Sequence, residues 1–175
     1  MLRLAKAFLE IALWKKTPAH LPASPFLLAL TACVAALLEV LSALLPPNRR
    51  DGILTGILLS VALPMCFAWV VLALAKRRQR FVQTASALLG AEVLAEIVVY
   101  PVIAMLRVME TDRLISNPLG LVLYAVYIVG IIWYLLACAH IWRSALDTGL
   151  LLGGVISAGY FVLSTVLEFQ VAPPP

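Results

Sequence analysis

Apolar positions along this chain fall into five long runs, separated by short stretches of proline, charge and small polar residues. The runs cover residues 24–45, 52–75, 81–106, 118–141 and 149–169. Each is about 20 residues or longer, the length a helix needs to cross a hydrocarbon core of roughly 30 Å. Their limits carry helix signals. Ser24 and Pro25 suit the N-cap and the first helical position, and Pro46-Pro47 stops the first run. The basic run from Lys76 to Arg80 ends the second, and Ser116-Asn117-Pro118 opens the fourth. The pattern predicts an all-α fold: a single integral membrane domain over residues 1–175, built as a polytopic bundle of five transmembrane helices.

The first 16 residues read differently. Arg3, Lys6 and Glu10 fall on one helical face, and Leu4, Phe8, Ile11 and Trp14 on another. That segment is too charged to span and predicts an amphipathic helix lying at the membrane interface. The apolar stretch before Leu30-Thr31-Ala32-Cys33 is short and the run continues past the cysteine, so the segment reads as an uncleaved span, not a lipoprotein signal.

Composition agrees with this reading. Apolar residues make up 63% of the 175 residues and charged residues 13%, with a mean hydropathy of +1.03, far from the usual soluble balance. The net charge of +4 sits beside the apolar runs and marks orientation; no nucleic-acid signature accompanies it. Arg3, Lys6, Lys15, Lys16, Lys76, Arg77, Arg78, Arg80 and Arg143 fall on one side of a five-span topology, and Arg49, Arg50, Arg107 and Arg113 on the other. The positive-inside rule then places the N-terminus in the cytoplasm and the C-terminus outside. Trp14, Tyr100 and Trp142 are expected near the interfaces, with Trp69 and Trp133 packed between helices. Cys33, Cys66 and Cys138 are expected to be buried apolar thiols, with no disulfide frame and no zinc site.

One stretch breaks the apolar pattern. Glu92 and Glu96 lie one turn apart on one face, near the middle of the third run. A carboxylate at that depth costs about 2.5–3.5 kcal/mol on insertion scales. Glu39, in the same half of the first run, is the best partner, and Tyr100 continues the face. Glu168 lies near the outer end of the fifth run, and no run has a basic residue at its middle. Three uses stay open: interhelical hydrogen bonding, for example to carbonyls freed by Pro64 and Pro101; a basic residue of another membrane protein; or proton, cation or polar-substrate handling. Lys76, Arg77, Arg78 and Arg80 are candidate contacts for anionic lipid headgroups as well as topology signals. Gly52, Gly56 and Ser60, and Gly149, Gly153 and Ser157, are small residues at spacing four, which favours close helix packing. Phosphate loops, zinc-protease motifs and nucleophile elbows are missing, so no enzyme and no cofactor is expected.

The segments RFVQTASALLGAEVLAEIVVYP and WYLLACAHIWRSALDTGLLLGGVISAGYFVLS, together with the five-run topology, resemble bacterial members of the Yip1 family. The resemblance covers about the last half of the chain. It implies a small bacterial inner-membrane protein with interaction or trafficking roles and no known catalytic set. The expected function is a non-enzymatic scaffold or assembly factor working through contacts with lipid and other membrane proteins, with a homo-oligomer allowed. The alternative is a small transporter or ion-coupled subunit using Glu92, Glu96 and Glu39.

Overall fold

The computed structural model describes residues 2–44, 53–108 and 117–171. Six helices follow in order: α1 (Leu2–Ala12), α2 (Pro25–Leu44), α3 (Ile53–Leu74), α4 (Phe81–Val108), α5 (Pro118–Leu146) and α6 (Leu150–Val171). Five of them, α2 to α6, are long and apolar enough to cross a membrane. The described residues are otherwise turns and two short 3-10 segments, Pro18–His20 and Arg78–Arg80.

Local chemistry sets several boundaries. Asn117 caps α5: its side-chain oxygen accepts from the Leu119 amide at 3.0 Å, with Pro118 in the first turn. The same helix ends at Asp147, whose amide donates to the Arg143 carbonyl and whose left-handed backbone (φ 52°) lets the Thr148 amide donate to that carbonyl too, at 3.1 Å. Within α3, a π-helical segment at Leu58–Ala62 leads into Pro64. Proline offers no amide to the carbonyl one turn back, so the ladder widens there.

Short links at Ala75–Arg80 and Asp147–Gly149 turn the chain back on itself. The starts of α2, α4 and α6 therefore share one end of the bundle with the ends of α3 and α5. This is the basic end; the opposite one is the far end. Helix α4 is central and packs against α1, α2, α3 and α5, while α6 lies on α5 and touches α3.

Burial is lopsided. Thr84 to Ala91 are eight consecutive buried residues, so the first half of α4 is enclosed on every side. Leu27, Leu72, Ile141 and Trp142 complete the core at the same end. Beyond Glu92 the bundle loosens: Ile97, Val98 and Met105 of α4 are exposed. The chain is thus clasped at its basic end and spread at its far end.

Helix α1 helps to close the clasp. Ile11 and Ala12 are buried, and the Phe8 ring sits where a side chain on Gly90 would otherwise be. The helix stops at Ala12, short of residue 16. Trp14 lies past it with φ 60° and is exposed, so it does not share the Phe8–Ile11 face. The next segment crosses the basic end: His140 Nε2 is 3.1 Å from the Lys16 carbonyl, and Gln83 Nε2 donates to the Leu21 carbonyl at 2.9 Å.

Other placements differ from expectation. Trp142 is buried in the core, edge-on to Phe67 at 5.9 Å. Trp69 lies on the outside, with the Arg78 guanidinium 5.3 Å from its ring centre. Cys138 is buried, but Cys33 and Cys66 face outward. Each of these helices is apolar all round, so sequence period does not mark which side turns inward.

Candidate functional site

Helix α4 leaves the tight core at Ala91, and the next residue is Glu92. Glu92 and Glu96 belong to the spread half of the bundle, where Glu39 of α2 and Glu168 of α6 also lie. Glu92 lies within electrostatic range of Glu96, Glu39 and Glu168, and Glu39 within range of Glu96 and Glu168. Lys6, Lys15, Lys16, Lys76, Arg77, Arg78, Arg80 and Arg143 all sit at the basic end. Arg49, Arg50, Arg113, Gly52 and the Arg107 side chain lie outside the described residues. Carboxyl groups in an apolar span are costly to hold in the charged form.

Glu39 extends across to α3. Its carboxyl group lies where a side chain on Gly56 would be, so this glycine makes room for Glu39 and not for another helix backbone. The π segment begins two residues later. Tyr100, one turn beyond Glu96, donates from its hydroxyl to the Ser42 carbonyl at 3.2 Å and ties α4 to α2. The other candidate of the Gly56 stripe, Ser60, turns back on its own helix and donates to the Ile57 carbonyl at 3.4 Å.

The Oε2 atom of Glu92 is buried and has no hydrogen-bond partner. Burial without a partner normally costs the full desolvation of the group. The expected bond to a proline-freed carbonyl therefore does not account for this oxygen. Below it, toward the basic end, a small cavity is lined by Phe67, Tyr134, Trp142 and Tyr160, with Leu88 and Cys138. Leu88 is one turn before Glu92 on the same face, and Glu92 is within electrostatic reach of Tyr134, Cys138 and Tyr160. This aromatic floor was not anticipated from the sequence. Its trace there is Tyr134, Cys138 and Trp142 at spacing four, which places them on one face of α5. Among the described residues, no three His, Cys, Asp or Glu side chains are grouped as a metal ion requires.

The basic cluster divides. Arg80 donates from Nη1 to Asp147 Oδ1 at 2.9 Å, and to the Ser144 and Ala145 carbonyls at 3.0 and 3.1 Å. Arg77 pairs with Asp147 Oδ2. Arg78 stacks on Trp69, and Lys76 is exposed in a left-handed turn of φ 58°. Two of the four headgroup candidates thus clamp one connecting loop to the other. Hydrogen bonds from Arg80 and Arg77 hold the Asp147 carboxyl below its ordinary range. For a depressed carboxyl, the stabilisation is present above the ordinary value and lost as pH falls through the folded one. At neutral pH, Asp147→Asn should make trypsin cut the Lys76–Arg80 loop a few-fold faster; unchanged cleavage would mean that the clamp holds nothing.

No family model, curated protein or solved structure matches this chain.

Proposed function

We propose that this chain is a multi-pass protein of the bacterial inner membrane that binds a cationic species at the Glu39–Glu92–Glu96–Glu168 site and acts as a small transporter or ion-coupled subunit. One observation carries the reading. Glu92 carries a buried carboxyl oxygen with no partner, in a span where Glu39, Glu96 and Glu168 lie within its electrostatic range. Ionisable groups inside a membrane span are costly and mark work on charge as their default use. The electrostatic proximity of Glu92 and Glu96 to Glu39 of a second helix is what favours this over the scaffold reading.

In this reading the basic end is cytoplasmic, following the Lys and Arg bias. Helix α1 lies along that interface with Lys6 in the headgroups and Phe8 and Ile11 against the bundle. The C-terminus is exoplasmic. A periplasm-dependent reporter fused to the C-terminus should be active; cytoplasmic activity would overturn the five-span topology.

The scaffold reading, with Yip1-family kinship, keeps one specific support: the exposed apolar row Ile97, Val98 and Met105 on the loosened half of α4, which could receive another protein's helix. Flux separates the two. In liposomes holding a pH dye, the unaltered chain should move charge, and Glu92→Gln or Glu96→Gln should reduce this to the level of protein-free vesicles. If the unaltered chain is no better than empty vesicles while partners still co-purify with Glu92→Gln, the scaffold reading replaces transport.

A further inference from the structure

We infer that the outer face of α3 and the loop after it hold the headgroup of an anionic phospholipid, with Arg78, Lys76 and Trp69 as its contacts. The inference needs only that the five helices cross a membrane, and it does not depend on transport. Eight described Lys and Arg side chains gather at the basic end against two described carboxylates, Glu10 and Asp147. Both carboxylates are already paired, Glu10 with Lys16 and Asp147 with Arg77 and Arg80. Within the basic run this leaves Lys76 and Arg78. Among the described residues, no carboxylate pairs with either.

Their placement suits a lipid. Cys66, Trp69, Val70 and Leu74 lie at helical spacing on α3 and are all exposed, so the face they form turns away from the bundle. In a membrane that face meets acyl chains. The Arg78 guanidinium lies 5.3 Å from the centre of the Trp69 ring. Trp69 is about 7 Å along the axis from Leu74, the last residue of α3. Arg78 therefore folds back from the loop onto the lipid-facing side, at the level where a phosphate joins its acyl chains. Tryptophan favours that boundary. The ring attracts the cation but offers no oxygen to its five N–H donors. A phosphodiester offers two, and the guanidinium fork matches them. Lys76, two residues away, occupies a left-handed position just past the helix (φ 58°). Glycine is the usual residue there, and lysine keeps a positive charge at a conformational cost. A zwitterionic lipid carries the same phosphate but brings an ammonium toward Lys76. Free phosphate has no chains for the Val70–Leu74 face.

Native mass spectrometry of the full chain in detergent tests this, with phosphatidylglycerol and phosphatidylcholine of the same acyl chains as probes. Phosphatidylglycerol should bind saturably and more tightly than phosphatidylcholine. Arg78→Gln and Lys76→Gln should each weaken it about fivefold, the size of one basic contact at a charged surface, and the double variant about 25-fold. Arg143→Gln removes the same charge from the same end of the bundle and should change nothing. An equal loss with Arg143→Gln would show diffuse attraction to the basic end and overturn the site. Equal binding of the two lipids by the unaltered chain would overturn it without any variant. Displacement of phosphatidylglycerol by an equal concentration of soluble glycerol phosphate would make this a free-phosphate site and overturn the lipid assignment.

Discussion

Gly153→Leu is expected to loosen α6 from α5 and lower the stability of the purified protein by about 1–3 kcal/mol or more, the usual range for overpacking a tight contact. Gly153 is buried, and a side-chain carbon there would run into the Ala139 carbonyl oxygen, with the Arg143 amide nitrogen at 3.1 Å and the Ala139 carbonyl carbon at 3.2 Å. All three atoms are backbone. No rotamer change can relieve the collision, so one helix must move off the other. In lipid this matters more than in water, because association of apolar helices rests on close van der Waals contact. The neighbouring Gly154 is a built-in control: nothing lies within 4 Å of a side-chain carbon placed there. Gly154→Leu should therefore stay within about 0.5 kcal/mol of the unaltered chain. Melting points of the two variants in one detergent make the comparison. Equal values would show that α5 and α6 do not touch through Gly153.

That contrast also marks where sequence reading stops. The glycines and serine at spacing four on α6 were legible as small residues that favour close packing. Which of them meets a neighbour was not. Gly153 and Ser157 are buried, while Gly149 faces open space. The five spans could be read because a run of some 20 apolar residues has few other uses. Rotation about each helix axis could not, because a helix apolar on every side has no face that hydropathy distinguishes. Trp69 and Trp142 exchanged roles for that reason. Arg143 and Trp142 resembled an interface, yet α5 runs on to Leu146 before Asp147 caps it.

The candidate site was legible in depth but not in direction. Glu39, Glu92, Glu96 and Glu168 stood out because charge is rare in such runs. Their convergence depends on how α2, α4 and α6 turn toward one another, which is a tertiary fact. Asp147 could have been noticed as an acidic residue in the loop that shares an end with Arg77 and Arg80. A clamp between two connecting loops is the use that pairing suggests.

The sign of one stability change then decides what the central carboxyl group is for. Glu92→Leu is expected to stabilise the folded protein by about 1–3 kcal/mol, because it removes a buried polar atom that nothing satisfies. Leucine is close to glutamate in volume and adds no donor or acceptor, so little cavity or strain enters the comparison. The same substitution should abolish cation binding and flux. If Glu92 instead served as hydrogen-bonding glue between helices, Leu would cost stability, by about 0.6–2 kcal/mol for an interhelical bond in a membrane. The two accounts therefore predict melting-point shifts of opposite direction from one variant. A lower melting point together with intact flux would remove Glu92 from the site. A higher one with flux lost would identify a residue that the fold tolerates at a cost and the function requires, the relation expected where a local rule is broken for activity.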